Sequence, residues 1–467
     1  MRSSYFNIGL IVGAANARPA IKGRRKEFSG ISTDTRTLKP GELFVALKGP
    51  NFDGHKFLDK ALERGAGGLM VHRGEASRVA GCRMHVLEVD DTLYALGEIA
   101  RQILALTRIP VVGITGSVGK TTCKEMLAAV LEQHYGREVL RTRGNFNNLI
   151  GLPLTVFNLK PDHPAAVLEM GMNRVGEISR LAQIASPDIG VVTNISPVHL
   201  ETLKTLAAVA RAKGELFDRF GPRNTAVINR DDRRAMLLVR GRDFKVVTFG
   251  KHRDADVRAT QIRNLGFDGI TAKLQIGGET LELSLSTYGA HSVYNALAAA
   301  AAAHVLGASP LLIRDSLEAF KPQAMRSRIV ELRRKVRLID DTYNANPRSM
   351  LAALEVLQTL GENRRTVAVL GEMLELGSHA RAAHQQIGVA AGQHKVDRLL
   401  LLGEHARDAA DAAIQAGMSK RAVRVIKDRE AAVQWLADNL EPGDVVLVKG
   451  SRGMRMELIV RGLKKAL

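Results

Sequence analysis

The feature that most constrains this chain is a short apolar run followed by a glycine-rich turn and the pair Lys120-Thr121. Residues 111–114, which follow Pro110, predict a buried strand, and residues 124–132 predict a helix. Backbone N–H groups in such a turn can surround an anion, and the helix N-terminus adds a favourable dipole. The sequence therefore predicts a nucleotide-binding loop made of Gly116, Ser117, Val118, Gly119, Lys120, Thr121 and Thr122.

Within this loop, Lys120 is expected to reach the outer phosphates and Thr121 to ligate Mg²⁺ through its hydroxyl. The usual pattern has a glycine five residues before Gly119, but Ile114 occupies that position and Gly113 lies one residue further back. The loop by itself indicates a nucleotide but no particular reaction.

The length of 467 residues favours several domains. Strands that alternate with helices predict an α/β protein with mostly parallel sheets. We predict a small α/β N-terminal domain over residues 1–88, a central domain with the nucleotide-binding loop over 89–320, and a Rossmann-like C-terminal domain over 321–467. Residues 256–286 alternate in polarity and predict an antiparallel edge or hairpin in the central domain.

The formal net charge of +19 has two interpretations, a solvated basic surface or affinity for a polyanion. Clustered basic residues with interleaved aromatics, as nucleic-acid binding favours, are not found in any predicted helix or loop, and a small phosphorylated substrate fits the charge equally well. Two cysteines without a disulfide pattern suit a reducing cytoplasm. No signal peptide and no apolar run of about 18 residues is present, so no membrane span is expected.

Polar side chains follow two further predicted strands. Glu169 ends the strand predicted at 165–168, and Asn194 and His199 follow the strand predicted at 189–192. Ligands of open α/β sheets bind at these strand ends. Glu169 and His199 are thus candidate Mg²⁺ ligands, with a structural ion pair and a structural histidine as the alternatives. Lys213, taken alone, indicates a lysine on a helix surface.

Taken together, these segments resemble the Mur ligases, which are ATP-dependent amide-bond-forming enzymes of bacterial cell-wall synthesis. The resemblance rests on the nucleotide-binding loop and on residues 169–171, 194–200 and 213–217. The displaced Gly113 is also typical of that family. In total the resemblance extends over residues 30–455.

Within the family, the chain is most similar to the member that joins D-alanyl-D-alanine to UDP-N-acetylmuramoyl-tripeptide. The matching segments are residues 32–36, 41–47, 53–55, 144–153, 340–350, 371–377 and 448–452. The Tyr343-Asn344-Ala345-Asn346 segment argues against the diaminopimelate- or lysine-adding enzymes and against folate and cyanophycin ligases. An alternative of another class is a nucleic-acid-binding ATPase. The third residue of the tripeptide, diaminopimelate or lysine, stays open.

The resemblance implies a division of labour among the three domains. The first binds the UDP end of the substrate, the second binds ATP and Mg²⁺, and the third closes over the nucleotide and receives the dipeptide. A carboxylate would be activated as an acyl phosphate. The implied enzyme is a cytoplasmic monomer with no nucleic-acid partner.

The resemblance also implies residue roles. Catalytic roles fall to Lys120, Glu169, His199 and a carbamylated Lys213, and metal ligation to Thr121, Glu169 and His199. Further ATP contacts are Asn295, Asp341 and Arg328, with Arg326 the alternative to Arg328. Substrate contacts are Ser32, Asp34, Arg36, Asn145, Asn147, Asn148, Tyr343, Asn344, Asn346, Lys449 and Arg452.

Overall fold

The computed structural model describes residues 5–198 and 200–467. Three sheets occupy successive parts of the chain, within residues 18–89, 111–285 and 328–449, and a two-stranded hairpin accompanies the first. The predicted α/β class with mostly parallel sheets is confirmed. Single turns of 3₁₀ helix occur at Gly54–Phe57, Glu75–Val79, Glu215–Phe217, Gly266–Asp268, Arg333–Lys335, Gly377–His379 and Arg452–Met454.

The N-terminal part is a five-stranded sheet in the order β1-β7-β6-β3-β2, antiparallel only between β1 and β7. Its elements are α1 (Ile8–Ala15), β1 (Arg18–Ile21), β2 (Ile31–Ser32), β3 (Leu43–Val45), β4 (Lys48–Gly49), β5 (Phe52–Asp53), α2 (Leu58–Glu63), β6 (Gly68–His72) and β7 (His85–Val89). Strands β4 and β5 form the separate hairpin. Strands and helices alternate here, as the predicted small α/β domain over residues 1–88 requires.

Helix α3 (Thr92–Thr107) connects the first sheet to the second. Asp91 caps it by accepting hydrogen bonds from the backbone N–H groups of Leu93 and Tyr94. Its apolar face packs against α1 and also against helices of the central part, so one hydrophobic core is shared by both. Helix α1 therefore extends this core.

The central sheet has nine strands in the order β16-β15-β14-β13-β12-β11-β8-β10-β9. Its elements are β8 (Val111–Thr115), α4 (Lys120–Tyr135), β9 (Leu140–Arg141), α5 (Gly151–Val156), β10 (Ala166–Glu169), α6 (Glu177–Ala185), β11 (Ile189–Val192), α7 (Leu200–Leu203), α8 (Leu206–Gly214), β12 (Thr225–Asn229), α9 (Arg233–Leu237), β13 (Lys245–Gly250), β14 (Val257–Asn264), β15 (Ile270–Ile276), β16 (Glu279–Leu285), α10 (Ala290–Val305) and α11 (Pro310–Ala319).

Strands β8 to β14 of this sheet are parallel, and β14, β15 and β16 form an antiparallel meander. The meander confirms the prediction for residues 256–286. Because the chain adds strands on one side of β8 and then on the other, β8 lies at the topological switch point where α/β sheets bind ligands. Helix α4 begins four residues earlier than predicted, since Gly119 in a left-handed conformation is its N-cap.

The C-terminal sheet has six strands in the order β17-β18-β22-β19-β20-β21. Its elements are β17 (Arg328–Glu331), β18 (Arg337–Asp341), α12 (Pro347–Leu360), β19 (Thr366–Leu370), α13 (Ala380–Gln393), β20 (Arg398–Leu401), α14 (Ala406–Gln415), β21 (Val423–Val425), α15 (Arg429–Asn439), β22 (Val445–Lys449) and α16 (Glu457–Ala466). Strand β17 pairs antiparallel with β18 and forms one edge of this sheet. Across the described residues, no helix is both long and apolar enough to cross a membrane.

Candidate active site

The nucleotide-binding loop connects β8 to α4 and depends on two glycines. Gly116 has φ +146° and Gly119 has φ +90°. A Cβ at Gly116 would lie 2.0 Å from Thr193 Oγ1, and one at Gly119 would lie 2.1 Å from Asn295 Oδ1. Both positions therefore require glycine for conformation and for space. Asn295, predicted to contact the nucleotide, lies on α10 directly against this loop.

The segment after β11 holds the loop from the other side. The N–H of Ser117 donates to the carbonyl of Asn194 at 2.9 Å, and its hydroxyl donates to the carbonyl of Ser196 at 2.9 Å. The carbonyl of Val118 accepts from Asn194 Nδ2 and Thr193 Oγ1, both at 2.7 Å. Asn194 therefore holds the loop in place. Its position after β11 was predicted from the sequence, but this contact with the loop was not.

A buried hydroxyl–carboxylate pair lies at the start of α4. The hydroxyl of Thr121 donates to Glu169 Oε2 at 2.7 Å, and Asn147 Nδ2 donates to Glu169 Oε1 at 2.8 Å. Glu169 is 3% exposed. The structure therefore brings together a predicted metal ligand from the loop, one from the end of β10, and a predicted substrate residue.

Lys120 lies beside this pair, and its Nζ donates to the carbonyl of Gly116 at 2.7 Å. Burial lowers the pKa of Lys120, Glu169 opposes that shift, and the positive charge of Arg326 adds to it. Lys120 and Arg326 therefore place two positive charges at the loop, and a bound polyphosphate would stabilise both.

Arg326 comes from the segment before β17 and reaches the loop. Its Nη2 donates to Thr121 Oγ1 at 2.9 Å, and its guanidinium carbon lies 3.8 Å above the ring centre of Tyr343. Arg328, the other arginine considered, is exposed on β17. Thus Arg326 connects the C-terminal part to the loop, and Tyr343 holds it there by stacking.

Lys213 lies on α8 and is 1% exposed, so the interpretation as a helix-surface lysine is wrong. Burial, together with the nearby charge of Lys120, holds the pKa of Lys213 well below its ordinary value. A buried amine of lowered pKa is a better nucleophile at neutral pH than an exposed one. His199, the third predicted metal ligand, lies outside the described residues.

A second cluster of polar residues lies at the end of β18. Lys449 Nζ donates to Asp341 Oδ2 at 2.5 Å and to the carbonyl of Asn344 at 3.0 Å, and the Arg452 N–H donates to Asn344 Oδ1 at 3.4 Å. Burial would raise the pKa of Asp341, but the Lys449 ammonium, together with His291 and the backbone N–H of Ser327, outweighs burial and lowers that pKa. The N–H of Ser327 donates to Asp341 at 3.0 Å, which ties this group to the segment carrying Arg326.

Two predicted substrate asparagines make local hydrogen bonds in the structure. Asn346 caps α12, with Ser349 completing a capping box. Asn148 Oδ1 accepts from the backbone N–H of Gly151, the first residue of α5. Asn145 is exposed in the same loop as Asn148. Their substrate roles stay predictions.

The remaining predicted substrate residues lie at the end of β2 in the N-terminal sheet and in the turn after it. Arg36 and Asp34 form an ion pair at 2.6 Å, and the backbone N–H of Asp34 donates to Ser32 Oγ at 3.3 Å. Arg36 is 82% exposed, so this turn presents a cationic side chain at the surface. Thr122, the last predicted loop residue, lies half-buried on α4.

The oxygen donors of Thr121 and Glu169 fit Mg²⁺, which prefers one or two protein oxygens together with water and phosphate oxygens. Among the residues that the structure describes, no cluster of three or more His, Cys, Asp or Glu side chains is placed to hold a metal. Thr121 and Glu169 alone offer only two protein oxygen donors, so further ligands would have to come from water or phosphate oxygens.

Comparison with known families matches three successive stretches of this chain. Residues 27–103 match a Mur ligase family catalytic domain, residues 114–303 a Mur ligase middle domain, and residues 325–452 a Mur ligase glutamate ligase domain. Each match overlaps one of the three sheets.

Individual relatives align over nearly their whole length. A UDP-N-acetylmuramoyl-tripeptide–D-alanyl-D-alanine ligase of Synechocystis sp. is 38% identical over 93% of this chain and 92% of the relative. A crystal structure of MurF from Acinetobacter baumannii has a TM-score of 0.89 at 28% identity and covers 98% of this chain and 99% of that one. MurF ligase from Thermotoga maritima, solved in complex with ADP, has a TM-score of 0.81 at 29% identity, covering 94% and 97%.

Proposed function

This chain belongs to the Mur ligase family, and we propose that its site joins D-alanyl-D-alanine to UDP-N-acetylmuramoyl-tripeptide using ATP. It is an ATP-dependent amide ligase whose product is a peptidoglycan precursor. The observation that carries the proposal is the contact of Thr121 with both Glu169 and Arg326, because it unites the loop, the β10 carboxylate and the C-terminal part in one site.

The reaction requires two anions to meet. The terminal carboxylate of the tripeptide attacks the γ-phosphorus of ATP, the bond to ADP breaks, and an acyl phosphate forms. The amine of D-alanyl-D-alanine then attacks the acyl carbon, loses a proton, and expels phosphate. Neither step needs a protein nucleophile, so Cys82 and Cys123 have no required role.

This chain's own residues reduce the repulsion in the first step. Lys120 and Arg326 supply positive charge beside the loop, and Gly116 and Gly119 let backbone N–H groups approach the phosphates. Thr121 and Glu169 would hold Mg²⁺, which when bound stabilises charge on the phosphoryl oxygens.

We extend the proposal to a carbamylated Lys213. A neutral amine can add to CO₂ and lose a proton to solvent, and the resulting carbamate would give the site further anionic oxygen ligands. Its burial and lowered pKa support this, because both favour the unprotonated amine that the addition requires.

Substrate placement follows the three-domain division at residues 1–88, 89–320 and 321–467. The turn with Arg36 would bind the UDP end, and Asn147 and Asn145 the peptide near Glu169. The dipeptide would lie beside Tyr343, near Asn344, Lys449 and Arg452. Asn295 and Asp341 are assigned to the nucleotide. We place the enzyme in the cytoplasm as a monomer.

Arg326, rather than Arg328, is assigned to the ATP phosphates. Arg326→Met should lower kcat/KM by roughly 10²-fold, since it removes a charge that contacts Thr121, while Arg328→Met should stay within about threefold of the wild type. Steady-state phosphate release from both variants measures this. A larger loss in Arg328→Met would reverse the assignment.

Substrate dependence tests the function itself. Phosphate release should require ATP, UDP-N-acetylmuramoyl-tripeptide and D-alanyl-D-alanine together. Replacing D-alanyl-D-alanine by diaminopimelate or by lysine should stop turnover. ATP hydrolysis that DNA or RNA stimulates without the dipeptide would instead identify a nucleic-acid-dependent ATPase.

A further inference from the structure

Lys124 has no role in the proposed mechanism and lies fully buried on α4, one helical turn after Lys120. A buried ammonium is costly unless it is paired and hydrogen-bonded. Its Nζ donates to the main-chain carbonyl of Thr142 at 2.5 Å and lies 2.5 Å from Glu125 Oε1. Lys124 is therefore anchored to a specific point of the chain that follows β9.

Thr142 is also fully buried, and it connects Lys124 to the candidate metal ligand. Its backbone N–H donates to the carbonyl of Val167 at 3.2 Å, and its Oγ1 accepts from the backbone N–H of Glu169 at 2.9 Å. Through this one residue, the position of the Lys124 ammonium is linked to the position of the Glu169 backbone.

The chain beyond Thr142 returns to the same carboxylate. Asn147 Nδ2 donates to Glu169 Oε1, and the carbonyl of Asn147 accepts from the N–H of Gly171 at 2.8 Å. The stretch from Thr142 to Asn147 thus contacts Glu169 at its backbone and at its side chain. A shift of Thr142 would move both contacts.

We propose that Lys124 is a positioning residue for the ligation reaction. Its ammonium fixes Thr142, Thr142 fixes the end of β10, and Glu169 is thereby held where its carboxylate meets Thr121. This inference rests on the proposed function, which gives Glu169 its task in binding Mg²⁺. Groups that orient metal ligands are worth roughly 10- to 100-fold in metal affinity.

The test measures metal binding apart from turnover. Mn²⁺ is titrated into the full-length protein with ADP and followed by electron paramagnetic resonance. Lys124→Met keeps an unbranched side chain one atom shorter but removes the charge and the donor, and should raise the Kd for Mn²⁺ by about tenfold or more. It should raise the Mg²⁺ concentration for half-maximal phosphate release in parallel. ADP affinity in EDTA should stay within about threefold of the wild type.

Two further comparisons distinguish a loss of Glu169 positioning from a general loss of protein stability. Lys160→Met removes an exposed lysine that pairs with Glu138, and should leave the Kd for Mn²⁺ unchanged. Thr142→Val removes the hydroxyl that accepts from Glu169, whereas Thr142→Ser keeps it, so only Thr142→Val should weaken Mn²⁺ binding. This pair decides the question if Lys124→Met does not fold.

A folded Lys124→Met protein with wild-type Mn²⁺ affinity would overturn the proposal, and so would Thr142→Val and Thr142→Ser variants that bind Mn²⁺ equally. Failure of the proposed function gives a different result. In that case the wild type forms no ligation product, while Mn²⁺ binding still depends on Glu169 and can still be compared between variants.

Discussion

Replacing Lys120 by alanine is expected to lower kcat/KM for ligation by roughly 10³-fold or more and to leave the fold intact. Lys120 is the loop cation, held by the carbonyl of Gly116 and electrostatically coupled to Glu169. Because burial already lowers the pKa of Lys120, its removal costs the folded state little electrostatic stability. Phosphate release and a thermal melt of the same sample measure both effects.

The matched control for this variant is Lys245→Ala. Lys245 is an exposed lysine at the first position of β13, in the same sheet. It lies at the N-terminal ends of the parallel strands, whereas the nucleotide-binding loop follows the C-terminal end of β8. Lys245→Ala should keep wild-type turnover. Retained turnover in Lys120→Ala would remove the nucleotide-binding loop from the mechanism.

The second large effect is expected at Lys213. Lys213→Ala should lose activity by about 10²-fold or more, and short-chain carboxylic acids such as acetate should restore part of it. The cavity left by the side chain is buried, and a small carboxylate can supply the oxygens that the carbamate would have supplied. Turnover as a function of acetate concentration measures the recovery.

The control is whether acetate restores activity only to the Lys213→Ala variant. Acetate should not restore Lys120→Ala, because a carboxylate cannot replace an ammonium. If Lys213→Ala turns over like the wild type, the carbamate hypothesis is wrong.

The backbone of this fold was largely predictable. Strands such as β8 and β11 are continuous apolar runs bounded by Pro, Gly or polar residues, which is the pattern of strands buried on both faces. Edge strand β17 was not predicted, because none of its four residues is buried and they carry no continuous apolar run.

The sequence does contain a signal for the burial of Lys213. Val209 and Lys213 are spaced four residues apart, which places them on one face of α8, and both are buried. A lysine at such a position is expected inside. Considering the lysine alone, without its neighbours on that face, led to the surface interpretation.

Asn346 also had a local signal. Asparagine before proline, with serine three residues after the asparagine, is typical of a helix N-terminus. By contrast, the contact between Arg326 and Thr121 joins residues 205 positions apart. Only the folded structure of the central and C-terminal parts shows that Arg326, and not Arg328, reaches the loop. The same holds for the link from Lys124 through Thr142 to Glu169.

Mass spectrometry of the reaction product tests the central claim most directly. With ATP, Mg²⁺, UDP-N-acetylmuramoyl-tripeptide and D-alanyl-D-alanine, the wild type should give ADP and a UDP-N-acetylmuramoyl-pentapeptide in equal amounts. Oxygen-18 in the tripeptide carboxylate should appear in the released phosphate, as an acyl phosphate requires. ATP consumed without pentapeptide, or pentapeptide formed without transfer of the label, would contradict the account.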